Sequence, residues 1–345
     1  MRSRLSLLAA SAVLAAAAAR FLPAQTPAAA PAIPRADRVR LSEAFRLAER
    51  IGDSIWPGWS GVPFAVVLVT PGTEFFVRHD RPPADARPIG RDALLGSVVY
   101  ARPRTFPSEF LATFPIEGIS TVVVGQAENT AASSPTDWVV TLLHEHFHQL
   151  QDSRPGFFAG VAALDLARGD ETGMWMLDFP FPYDSGPVAA AYRSAALALN
   201  EALAGRNARA FLAARDRFRA ALSGDDLRYL DFQLWKEGIA RYTQVRVARW
   251  AAAGGYEPSP AFAALPGFTT YAELARALEE TLRRELSRMT LPEARRTVVY
   301  PFGAAEGLLL DRERPCWREQ YFERMFTLAP AFDAEDCGKK TAARG

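Results

Sequence analysis

The five consecutive residues His144, Glu145, His146, Phe147 and His148 hold three of the chain's four histidines. They stand in TDWVVTLLHEHFHQLQD, residues 136–152, whose apolar spacing predicts a helix. His144 and His148 then lie one turn apart on one face, where two neutral imidazoles can grip one Zn²⁺. Glu145 falls on the rim of that face, about 60° from His148 at about 100° per residue. There it can accept a proton from a water that the metal activates. Val139, Leu143, His146 and Leu150 form the opposite, core-facing stripe, so His146 is expected to be structural. His79 stands alone after a strand and is not expected to be a ligand.

The helix needs a start and a seat. Ser134 as N-cap, Pro135 at the first helical position and Asp137 one turn in supply the start. Upstream, residues 41–54 carry an amphipathic helical pattern. PFAVVLVT, a Pro71-Gly72 turn and EFFVRH then read as an antiparallel strand pair. Residues 96–100, 110–114 and 119–124 are further strands, which makes a small, mostly antiparallel sheet of about 4–5 strands. Downstream, helical patterns cover 157–167, 188–203, 208–222, 226–250, 271–286 and 302–310, while the Pro- and aromatic-rich stretch 174–188 reads as a loop. The expected class is α+β and zincin-like. A sheet lobe over 41–133 precedes a larger helical lobe over 134–345, with the zinc helix at the junction. A chain of 345 residues can bury a core of that size as one two-lobed domain.

The ends and the charge bound the setting. Arg2 and Arg4 precede an apolar run from Leu5 to Ala19, and Leu22-Pro23-Ala24 suits cleavage, so residues 1–24 read as a secretory signal peptide. Residues 25–40, rich in Ala and Pro, read as a disordered leader. The expected product is exported, periplasmic or secreted, with no stable membrane insertion once the signal is removed. Loss of the three arginines Arg2, Arg4 and Arg20 takes the formal charge from +1 to −2, which gives no electrostatic case for a nucleic-acid partner. Nothing in the sequence fixes an oligomeric state.

A catalytic zinc site needs a third protein ligand. The H-E-x-x-H-x-x-G-x-x-H pattern fails, because positions 151 and 154 hold Gln151 and Arg154. A carboxylate must serve, and Asp165, Asp170, Glu171, Glu237, Glu279, Glu280 and Glu306 are candidates. Glu237, in LDFQLWKEGIARYTQ, is preferred: it sits among Leu234, Trp235 and Ile239, where a buried acid needs a partner. Its neighbours Gly238 and Ala240 are small enough to admit another helix. Charge on a carbonyl oxygen also needs a hydrogen-bond donor, for which Tyr300 is the first choice and Tyr242 the second.

With HEHFH on one helix and WKEGIARY on a later one, the chain resembles the gluzincin-type zinc metallopeptidases. The resemblance implies ligation of one Zn²⁺ per chain by His144, His148 and Glu237, with Glu145 as general base. It also implies a sheet lobe before the catalytic helix and a helical lobe after it. The setting of Glu237, K-E-G-I-A-R, departs from the N-E-x-x-S-D of the thermolysin-like branch, and no G-A-M-E-N-like element is present. The expected function is hydrolysis of a peptide or protein substrate. The alternatives are a zinc hydrolase of a non-peptide amide or ester, or a non-catalytic zinc-binding envelope protein.

Cys316 and Cys337 are the chain's 2 cysteines, and in an exported protein they are expected to pair. A thiol titration of the denatured, unreduced protein from the periplasm should then find no reactive thiol. Two titratable thiols per chain would rule the pairing out.

Overall fold

Val66-Val67-Leu68-Val69 is an apolar run with no polar alternation, the pattern of a strand covered on both faces. It forms β1 (Val66–Val69), buried throughout, inside a six-stranded sheet of the computed structural model. The others are β2 (Thr73–Val77), β3 (Arg87–Asp92), β4 (Ser97–Pro103), β5 (Leu111–Ile116) and β6 (Ile119–Gly125), in the spatial order β3-β4-β2-β1-β6-β5. All neighbours pair antiparallel except β1 and β6, which run parallel with Val66 opposite Val122 and Val69 opposite Gly125. One face contributes Val66, Leu68, Phe75, Val77, Val122 and Val124 to the main core. The other buries Val67, Val69, Phe76 and Val123 under Phe106, Phe110 and Phe114. The structure describes residues 31–132, 134–206 and 208–333, so the expected signal peptide and Cys337 lie outside the described residues.

The structure departs from the sequence expectation in an added strand, an earlier helix start and a short helix, Trp175–Asp178, inside the stretch 174–188 expected to be a loop. Strand β3 was not expected, because Arg87-Pro88-Ile89-Gly90-Arg91-Asp92 lacks apolar alternation and breaks register between Pro88 and Gly90. It is an edge strand, where Pro, Gly and charge are tolerated and discourage further pairing. Helix α1 (Arg35–Ile55) begins inside the segment expected to be a disordered leader. Its first turns bury Asp37 and Arg40, which are satisfied from far along the chain. Gln126 Nε2 donates to Asp37 Oδ2 at 2.6 Å, and Arg40 Nη2 reaches Glu128 Oε1 at 2.5 Å.

After the sheet come α2 (Pro135–Asp152) and the short helices α3 (Phe157–Ala163) and α4 (Trp175–Asp178). Then follow α5 (Gly186–Leu203), α6 (Ala208–Ala220) and α7 (Gly224–Gln233), which continues through a π-helical turn, Leu234–Gly238, into α8 (Ile239–Trp250). Next are α9 (Pro260–Ala263), α10 (Tyr271–Arg288), α11 (Leu291–Ala294) and α12 (Val299–Glu313). The class is α+β: α1 comes first, the six strands follow, and the remaining helices come after the sheet. Among the described residues no helix is long and apolar enough to cross a membrane.

The π turn and α12 meet backbone to backbone. A Cβ added at Gly303 would lie 2.6 Å from Gly238 Cα and 3.0 Å from Leu234 O, and one at Gly238 would meet Gly303 Cα at 2.6 Å. In an exposed helix Gly→Ala raises stability by about 1 kcal/mol. Here the sign should reverse, because overpacking at a rigid contact costs about 1–3 kcal/mol. Gly303→Ala should therefore lower the melting temperature by several degrees in a thermal scan. An unchanged or raised midpoint would mean that the two backbones are not in contact.

Candidate metal centre

Helix α2 starts as its sequence dictates. Ser134 Oγ accepts from the backbone N–H of Asp137 at 3.1 Å, and Pro135 fills the first helical position. From Trp138 onward the helix is buried on almost every side, so its polar groups need partners within the protein. On the sheet side, Trp138 Nε1 donates to Gly125 O at 3.0 Å, and Gln149 Nε2 donates to Ala65 O at 3.0 Å and Ser120 O at 2.7 Å. Gln149 Oε1 is left to face His146 Nδ1 at 2.8 Å. The His146 ring stacks on Phe64 with centroids 3.8 Å apart, and burial pushes its pKa down to about 3. It is a core histidine, as its stripe predicts. His79 is likewise buried away from the other three, edge-on to Phe76.

The opposite face of α2 carries the site. Among the described residues, His144, His148 and Glu237 are the one group of three His, Cys, Asp or Glu side chains arranged to hold a metal ion, with ligand atoms all within 4.8 Å of one another. The imidazoles are 5.1 Å apart between centroids, and His148 Nε2 is 3.4 Å from Glu237 Oε2. Tetrahedral ligands at about 2.0–2.1 Å from a metal are about 3.3 Å from each other, so this pair already has the spacing required. Glu237 arrives on the π turn, where one extra residue per turn bulges the backbone toward α2. Burial pushes its pKa up, but Lys236 and His148 outweigh that and hold it well below the usual carboxylate value. Burial and the neighbouring His148 hold His144 in the neutral form that a ligand must have.

Gln151 ties the two helices together. Its Nε2 donates to Tyr321 Oη at 2.7 Å and to the π-turn carbonyls of Lys236 at 3.2 Å and Trp235 at 3.3 Å. Those acceptors fix the amide orientation, so Oε1 accepts from His148 Nδ1–H at 2.6 Å. The tautomer that results leaves His148 Nε2 free for a metal. Tyr321 Oη completes the set by donating to Trp235 O at 2.6 Å.

Glu145 lies next to this group, its Oε2 2.7 Å from the Thr113 hydroxyl of β5. Burial raises its pKa, which makes it a stronger base than an exposed glutamate. Tyr300 is also close: its ring centroid is 6.3 Å from that of His144, and Arg296 Nη2 donates to its hydroxyl oxygen at 3.0 Å. Burial and then the charge of Glu237 raise the Tyr300 pKa, and Glu145 adds to this.

Tyr242 takes no part. Its ring packs against Trp56 and Trp317, and its hydroxyl donates to Asp311, 2.7 Å from Oδ1. Its hydroxyl is thus engaged by Asp311 and not turned to the three donors, and of the two tyrosines named from the sequence only Tyr300 lies beside them. Among the other carboxylates considered, Glu306 is buried against Arg215 Nε at 2.6 Å. Glu279 pairs with Arg249 and Asp170 caps its own loop at Thr172. A cavity of about 490 Å³ touches α2 only on its far side, at His146, and does not reach the three donors.

Sequence reasoning missed Thr113, Lys236, Arg296 and the outer role of Gln151. Only Gln151 left a signal, a side-chain amide three residues after His148 on the same helical face. Gln151→Leu should weaken affinity for added Zn²⁺ by about 10–100-fold in a chelator competition while the fold is retained. Unchanged affinity would show that His148 is oriented by something else. No family model, no curated protein and no solved structure matches this chain, so the chemistry of the site stands on its own geometry.

Proposed function

We propose that this chain is an exported zinc-dependent hydrolase of peptide bonds, with His144, His148 and Glu237 as ligands and Glu145 as general base. One observation carries the proposal: three donors from two helices converge while a second glutamate, Glu145, stands beside them. Two imidazoles and one carboxylate are a donor set that suits Zn²⁺ and leaves a coordination position for the reacting groups. Zinc held there supplies Lewis acidity toward a carbonyl and makes a water acidic near neutral pH.

The protein side chains do the rest. Glu145 takes the proton from the attacking water and later delivers it to the leaving amine, its carboxylate held in line by Thr113. Tyr300 donates its hydroxyl hydrogen to the carbonyl oxygen as charge grows there. Arg296 supports that role, because a guanidinium can only donate, so the Tyr300 oxygen accepts from it and the tyrosine hydrogen is turned elsewhere. Sheet before α2 and helices after it follow the gluzincin-type order that the HEHFH and WKEGIARY segments suggest. Export rests on the signal-like sequence of residues 1–24.

Two glutamine variants separate the roles. Glu237→Gln should lose zinc and activity together. Glu145→Gln should keep zinc content and melting temperature but lose about 10²–10⁴-fold in kcat/KM, the contribution of a general base. The measurements are metal analysis and hydrolysis of a mixed peptide library with and without chelator. Full zinc and full rate in Glu237→Gln would move the third ligand elsewhere, and zinc-loaded wild type that cleaves nothing would refute the hydrolase.

A further inference from the structure

We propose that Arg296 anchors the C-terminal carboxylate of the substrate, so that the site takes peptides whose free acid end lies close to the scissile bond. The inference rests on the hydrolase reading and adds to it the substrate class. Arg296 is half-buried beside the metal cluster, yet it forms no ion pair with any described carboxylate. Two of its donors are engaged, Nη2 to Tyr300 Oη at 3.0 Å and Nη1 to Gln233 Oε1 at 3.3 Å, and both acceptors are neutral. Glu237 acts on it only from a distance, so no described carboxylate touches the guanidinium, and its planar fork matches a carboxylate that could reach it directly.

The local backbone explains why this arginine points inward. Arg295, its neighbour, sits at φ 48°, a region that costs a non-glycine residue strain. Arg295 itself turns outward, over the Tyr183 ring and 3.3 Å from Asp184. The kink therefore sends one guanidinium to the surface loop and the next to the site, one helical turn before Tyr300. The charge of the site agrees: Lys236, Arg241 and Arg296 stand against Glu145, Asp152 and Glu237, so a bound divalent cation leaves an excess of positive charge. Tyr300, on the same arm, would then lie between the anchored end and the reacting carbonyl.

The test uses N-acetylated tetrapeptide libraries made once as free acids and once as C-terminal amides. Zinc-loaded wild type should cleave the acids with kcat/KM about 10–100-fold above the amides, the size of a charge-assisted hydrogen bond. In Arg296→Gln that ratio should fall to near one, and Arg296→Lys should restore part of it. A purely structural role for Arg296 would change both libraries alike and leave the ratio standing. Retention of each library on immobilised, zinc-loaded Glu145→Gln protein reads the anchor without turnover. Equal retention of acids and amides overturns the anchor whatever the activity. Preferential retention of acids with no cleavage by wild type supports the anchor and refutes the hydrolase alone.

Discussion

A helix enclosed on almost every side cannot leave its polar side chains to water, and that constraint organises the molecule around α2. Each buried polar residue there must be met by a different neighbour, or several kcal/mol of desolvation goes uncompensated. Gln149 is met by the backbone between β1 and β6, His146 by Gln149 and two aromatic rings, and Gln151 by the carbonyls of the π turn. Sheet and helices are therefore tied together through the same short segment that carries His144 and His148. The rigidity that a metal centre would need and the satisfaction of buried hydrogen bonds come from the same set of contacts.

What could be read from the sequence was whatever left a local signature. HEHFH fixes a helix, a face and a pair of candidate ligands within one turn, and the Ser134 cap marks its start. Glu237 could be singled out because an acid among Leu234, Trp235 and Ile239 conflicts with its surroundings unless something compensates it. The small residue beside it did predict a close helix contact, and Gly303 is the partner. The rest depended on contacts remote in sequence. Arg40 and Glu128 make α1 start early across a separation of 88 residues, which no periodicity reveals. Thr113 reaches Glu145 from a strand whose pattern shows only half-burial. Tyr242 and Tyr300 look alike in sequence, and only the position of Asp311 tells them apart.

Electrostatics at the centre divides labour between two glutamates of the same chemical type. Burial pushes both toward the neutral acid, but Lys236 and His148 reverse the outcome at Glu237 alone. One carboxylate is thereby kept anionic, as metal ligation would require, and the other is left more basic, a separation made by neighbours rather than by residue type.

The π turn also ties the site to the count of residues in the chain. A helix advances about 100° with each residue, and the bulge at Leu234–Gly238 absorbs one residue beyond the regular repeat. Deleting any one residue of that turn other than Glu237 would let it relax to α geometry. Glu237 would rotate away from the histidines, while α8 kept its own phase against α2. Insertions and deletions here would thus decide whether the three donors can meet at all, whereas most substitutions on the outer face of α7 would leave their geometry untouched. Loss or gain of the centre among descendants of this chain could proceed by one codon, with the surrounding core left in place.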